Sequence, residues 1–99
     1  MLISMEGQGR VILEEKAELL KALAHPVRLC IVLNLIEAGG CNVSKMQGCL
    51  AMPQSTISQH LSKLKAYGIV EGKRSGTEIT YYTVNPDAIK VIKTLLPIK

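Results

Sequence analysis

The chain has 99 residues, 47% of them apolar, and a formal net charge of +4. That is one small domain with enough apolar content for a core, which excludes a disordered chain and leaves little room for a large enzyme. No apolar run nears the roughly 18 residues of a membrane span, and "MLISMEGQGR" has no basic segment followed by a long apolar one, so neither an anchor nor a signal peptide is expected.

Residues 1–9 carry Gly7 and Gly9 and read as a flexible tail ahead of a single domain over 10–96. From Arg10, the apolar residues Leu13, Ala17, Leu20 and Ala24 recur at helical spacing, and the helix should stop near His25 because Pro26 follows. A second helix, "PVRLCIVLNLIEA", is apolar nearly all round and belongs at the centre, ending at Gly39 and Gly40. Cys41 or Asn42 opens a short helix with Val43, Met46 and Leu50 on one side, and "AMPQS" interrupts the pattern. The next helix, residues 54–67, has an apolar stripe of Ile57, Leu61 and Leu64 and stops at Gly68. "IVEGKR" and "TEITYYTV" read as two strands joined by a glycine-containing turn. Asn85 then caps a last helix with Pro86 at its first position and Asp87 in its first turn. The fold expected is mainly α with a small β-hairpin, in the order α-α-α-α-β-β-α. A short helix, a turn, a helix and a hairpin make a winged helix-turn-helix.

Charge is concentrated in the same region. Residues 43–76 carry Lys45, Lys63, Lys65, Lys73 and Arg74 against Glu71 alone, while bases and acids balance over the rest of the chain. A local basic excess suits phosphate. Opposite Ile57 on the helix wheel lie Ser55, Gln59, Ser62 and Ala66, flanked by Thr56, Ser58 and Lys63, with no acid. Short donors and acceptors without a carboxylate are what base edges beside a phosphate backbone require. The expected DNA-contacting set is Gln54, Ser55, Thr56, Ser58, Gln59, Ser62 and Lys63 from this helix. The hairpin adds Lys73, Arg74 and Thr77.

"HPVRL", "STISQHLSKLKAYGIV" and the wing "RSGTEITYY" give residues 10–96 a resemblance to the arsenic-repressor-like (ArsR/SmtB) transcriptional regulators. The resemblance implies a cytoplasmic homodimer joined through its first and last helices. It further implies a repressor that binds a palindromic operator in double-stranded DNA and is released by a small inducer, without enzymatic activity. The family's metal sites do not transfer. Asn42 and Ser44 stand where two cysteines are needed, and the last helix offers Asp87 but no histidine, so no metal cofactor is expected. Three cysteines, an odd number, do not suggest a secreted disulfide framework.

Weighed alone, Cys30 reads as a core residue and Cys49 as packing. Cys41, at a helix N-terminus one turn before Lys45, reads as a thiol with a lowered pKa. The three form a possible thiol sensor, which makes a cysteine-based redox or sulfur-sensing repressor the alternative reading. A winged helix that binds protein is a weaker one, since the exposed helix face has no aromatic anchor. His60 is expected to pack with a hydrogen bond, and His25 to cap the turn before Pro26.

Overall fold

The structure, a computed structural model, describes residues 2–97. Five helices and a three-stranded antiparallel sheet follow in the order α1 (Gly7–Leu23), α2 (Pro26–Ala38), β1 (Cys41–Asn42), α3 (Val43–Leu50), α4 (Gln54–Ala66), β2 (Val70–Ser75), β3 (Glu78–Thr83) and α5 (Pro86–Leu95). This is the winged helix-turn-helix expected, with differences at the N-terminus and in the sheet. Helix α1 starts at Gly7, three residues before the expected Arg10, so the N-terminal tail is shorter than 1–9. A third strand, β1, pairs with β3 to give the sheet order β1-β3-β2.

The chain's stops and starts follow local chemistry. His25 is extended (φ −154°, ψ 129°), the geometry that a following proline imposes, and its Nδ1 accepts a 3.1 Å hydrogen bond from the Val27 N–H. Asn85 does the same for α5, its Oδ1 accepting from the Ala88 N–H at 3.0 Å. Gly39, at φ 67°, takes the left-handed turn that ends α2.

Helix α2 is central, as its apolar surface requires. Ile31, Val32 and Leu35 are buried among Leu19, Ala22 and Leu23 of α1, Met46 of α3, Ile57, Leu61 and Leu64 of α4, Ile69 and Val70 of β2 and its approach, and Ala88 and Ile92 of α5. Each of the larger side chains among these contributes about 1.5–3 kcal/mol by leaving water. The first three turns of α1 take no part in this core. From Gly7 to Glu18 every residue except the half-buried Gly9 is exposed, and Val11, Ile12 and Leu13 lie in that stretch at 50%, 43% and 37%. Leu20 of α1 and Leu95 of α5 are also exposed. A 2.6 Å ion pair between Lys16 and Asp87 ties α1 to the start of α5. The hydrogen bond between the two raises the lysine pKa and lowers that of the carboxyl.

Candidate nucleic-acid interface

Helix α4 is held from behind. Ile57, Leu61 and Leu64 are buried, which turns Ser55, Gln59, Ser62 and Ala66 to solvent. Gln54, Ser58 and Lys63 are exposed beside them, and Thr56 is half-buried. The connection from α3 passes through Ala51, the one non-glycine residue with positive φ (53°) among the described residues. An L-residue in this region costs about 1–2 kcal/mol, so the tight turn between the two helices is maintained against a local preference. Pro53 then precedes α4 and provides no side-chain cap, and the first turn holds no acid. The positive end of the helix dipole is therefore open at the face where Gln54 and Ser55 lie.

The wing differs from expectation in its detail. Strand β2 runs to Ser75 and β3 begins at Glu78, so only Gly76 and Thr77 form the connection. Lys73 and Arg74 are strand residues, not turn residues, and neighbours on a strand point to opposite faces. The register pairs Lys73 with Thr80 and Arg74 with Ile79. Lys73 shares the outer face with Tyr82, its Nζ lying 5.4 Å from that ring. Arg74 shares the face of Ile79 and Tyr81, which turns toward α3 and α4. Lys73, Arg74 and Thr77 are all exposed. A cleft of about 530 Å³ separates the wing from the starts of α3 and α4.

The cysteines need correction. Cys41 is in β1, before the Asn42 cap of α3, and not in a helical first turn. Burial pushes its thiol pKa up and the nearby Cys49 adds to this, outweighing Lys45 and the backbone N–H groups that act the other way. The lowering expected at a helix start is outweighed. Cys49 is exposed, where packing was expected. Cys30 is half-buried rather than a full core residue, with Asn34 Nδ2 donating to its carbonyl oxygen at 2.7 Å and approaching its Sγ at 3.3 Å. Among the described residues no three potential ligands gather as a metal site would need.

His25 caps α2 as expected. His60 packs its ring on that of His25, centroids 4.6 Å apart at 50°, in place of the expected hydrogen bond. Burial lowers the His60 pKa below its ordinary 6.5, and His25, Arg28 and Lys63 reinforce this. The unfolded chain therefore takes up the proton first as pH falls. The contribution of His60 to stability is full above about pH 6.5 and declines below it. His60→Gln is expected to flatten that part of the profile, read as the difference between urea midpoints of the two proteins from pH 7 to pH 5. Parallel profiles would show that His60 contributes no such dependence.

The sequence marks Asn42 as a helix start but carries no signal for its hydrogen bond to Glu78. Asn42 has the residue type of a helix cap, but its second partner is 36 positions away.

Comparison with known proteins agrees with this geometry. Residues 23–73 match the family described as a helix-turn-helix domain. The chain is 45% identical over 87 residues to the transcriptional repressor PagR of Bacillus anthracis, covering 88% of this chain and 87% of that protein. The crystal structure of PagR superposes with a TM-score of 0.82, at 42% identity, over 88% of this chain and 99% of that one. The HTH-type transcriptional repressor SmtB of Mycobacterium tuberculosis is 51% identical over 72 residues, 73% of this chain but only 53% of the mycobacterial protein. The crystal structure of the transcriptional repressor BigR of Xylella fastidiosa gives a TM-score of 0.80 at 36% identity, over 87% of each chain. The acid-free helix, the hairpin beside it and these likenesses together place the chain in the ArsR/SmtB family of winged helix-turn-helix, DNA-binding transcriptional regulators.

Proposed function

We propose that the protein is a cytoplasmic homodimeric repressor that binds a palindromic operator and is released by a small inducer. The observation that carries the reading is the face of α4: Ser55, Gln59 and Ser62 exposed in a row on a helix that contains no carboxylate. In this reading Gln54, Ser55, Thr56, Ser58, Gln59 and Ser62 approach base edges in the major groove, with the uncapped helix start against a phosphate. Lys63, Lys73 and Arg74 neutralise phosphates, and Thr77 meets the backbone from the wing. The unburied apolar surface of α1 and α5 supports the homodimer, since a two-fold partner would cover the same patch on each chain. Two-fold symmetry in the protein then calls for a palindromic site. No single described helix is long and apolar enough to cross a membrane.

Titration of a labelled duplex from the chain's own upstream region, followed by fluorescence anisotropy over a salt series, tests the core of this. Three basic contacts per protomer, about six in a dimer, predict that log K falls with log salt at a slope of about −5. A slope near zero, or no binding at low salt, would remove the DNA reading.

The protein is also proposed to need no metal. Prolonged EDTA treatment is expected to leave the binding curve unchanged, whereas loss on chelation with recovery on adding zinc would overturn that point. The cysteine-based alternative draws less support from the placement of Cys41, which is half-buried in β1 before the cap of α3.

A further inference from the structure

The wing and the reading helix face each other across the 530 Å³ cleft, lined by Val43, Ser44, Gln54 and Ser58 on one side and Thr77 and Ile79 on the other. At the base of the cleft β1 pairs with β3 through only Cys41–Tyr81 and Asn42–Thr80. Further toward the tip, Asn42 spans the gap with its side chain. Its Oδ1 accepts from the Lys45 N–H at 2.8 Å and caps α3. Its Nδ2 donates to Oε1 of Glu78, the first residue of β3 after the Gly76–Thr77 connection. One carboxamide thus holds the first helix of the helix-turn-helix with its acceptor and the wing with its donor. Asparagine does both at this length: serine would keep the cap, but its single, shorter hydroxyl does not extend to Glu78, and aspartate would keep the cap and repel Glu78.

We propose that Asn42 is a positioning residue for DNA recognition, latching the wing at a set spacing from α4 through Glu78. The proposal rests on the DNA-binding reading above. The wing tip and the α4 face must meet backbone and groove at the same time. A wing already held at the right spacing does not have to be ordered when DNA binds, and that saving is on the order of three- to tenfold in affinity for each half-site.

The experiment uses the full chain and an operator duplex that the wild type binds, with urea melts alongside. Asn42→Ser is expected to bind about three- to tenfold more weakly, with little change in the urea midpoint because serine still caps α3. Glu78→Gln and Glu78→Ala both remove the same charge, but only glutamine can still accept from Asn42. Glu78→Ala is therefore expected to bind about three- to tenfold more weakly than Glu78→Gln, a comparison that stands even if Asn42→Ser does not fold. The double variant Asn42→Ser/Glu78→Ala should bind no more weakly than Asn42→Ser. Equal binding by Glu78→Ala and Glu78→Gln would overturn the latch. So would full additivity in the double variant, which would mean that Asn42 touches DNA independently of Glu78. If the wild type bound no DNA at all, the DNA reading itself would fail before the latch came into question.

Discussion

Gln59→Glu is expected to reduce operator affinity by at least about 100-fold at physiological salt while leaving the urea midpoint unchanged. Gln59 is exposed at the middle of the α4 face, between Ser55 and Ser62. Its carboxamide offers both a donor and an acceptor to a base edge, and one such contact is worth about 1–3 kcal/mol. Glutamate keeps the size and removes the donor, and it adds a negative charge to a helix that has none and that faces phosphates in the complex proposed above. The two losses act together, and each 1.4 kcal/mol is tenfold. Stability should not move, because an exposed surface change of this kind stays within about 0.5 kcal/mol. Gln59→Ala separates the two contributions: it loses the base contact alone and should fall between wild type and Gln59→Glu. If Gln59→Glu binds within about threefold of the wild type, α4 does not enter the groove by this face.

Leu20→Glu is expected to turn the proposed dimer into a monomer and to lower operator affinity by roughly 100- to 10,000-fold. Leu20 is 52% exposed on α1, although Leu19, Ala22 and Leu23 around it are buried. A leucine in that setting leaves half of its surface in water, which another surface can cover. Adding a charge there cannot disturb the monomer core, but it places a desolvated carboxylate in any two-fold contact through α1. Losing the dimer makes the two half-sites bind independently, and linked sites exceed single ones by about 10²–10⁴. Light scattering coupled to size exclusion reads the mass, and anisotropy reads the binding. A variant that remains dimeric and binds as the wild type would locate the interface away from this part of α1.

The elements most legible in the sequence were those with a local cause. Ile57, Leu61 and Leu64 declare the buried side of α4 by spacing alone, and the opposite side follows from geometry. Asn85–Pro86 declares the start of α5, and His25–Pro26 the junction of α1 and α2, because cap and proline act within a few residues of themselves. Gly7 and Gly9 misled in the other direction: glycine argues for a tail, yet α1 begins at Gly7. Strand β1 is two residues long, too short to show any periodicity, and exists only because β3 passes beside it. The width of the hairpin turn also depends on the cross-strand register, and so Lys73 and Arg74 were grouped as a single basic tip when they point to opposite faces.

The sequence by itself determined the helix-turn-helix, its hairpin, the acid-free reading face and the basic excess around it, because helical period, capping and charge are properties of neighbouring residues. The tertiary structure alone decided the state of the cysteines and the tie between wing and helix. A thiol's pKa depends on what burial removes around it, and that turned Cys41 from an apparently activated group into one pushed up. A hydrogen bond such as that from Asn42 to Glu78 joins residues 36 positions apart, and only the folded sheet brings them within reach.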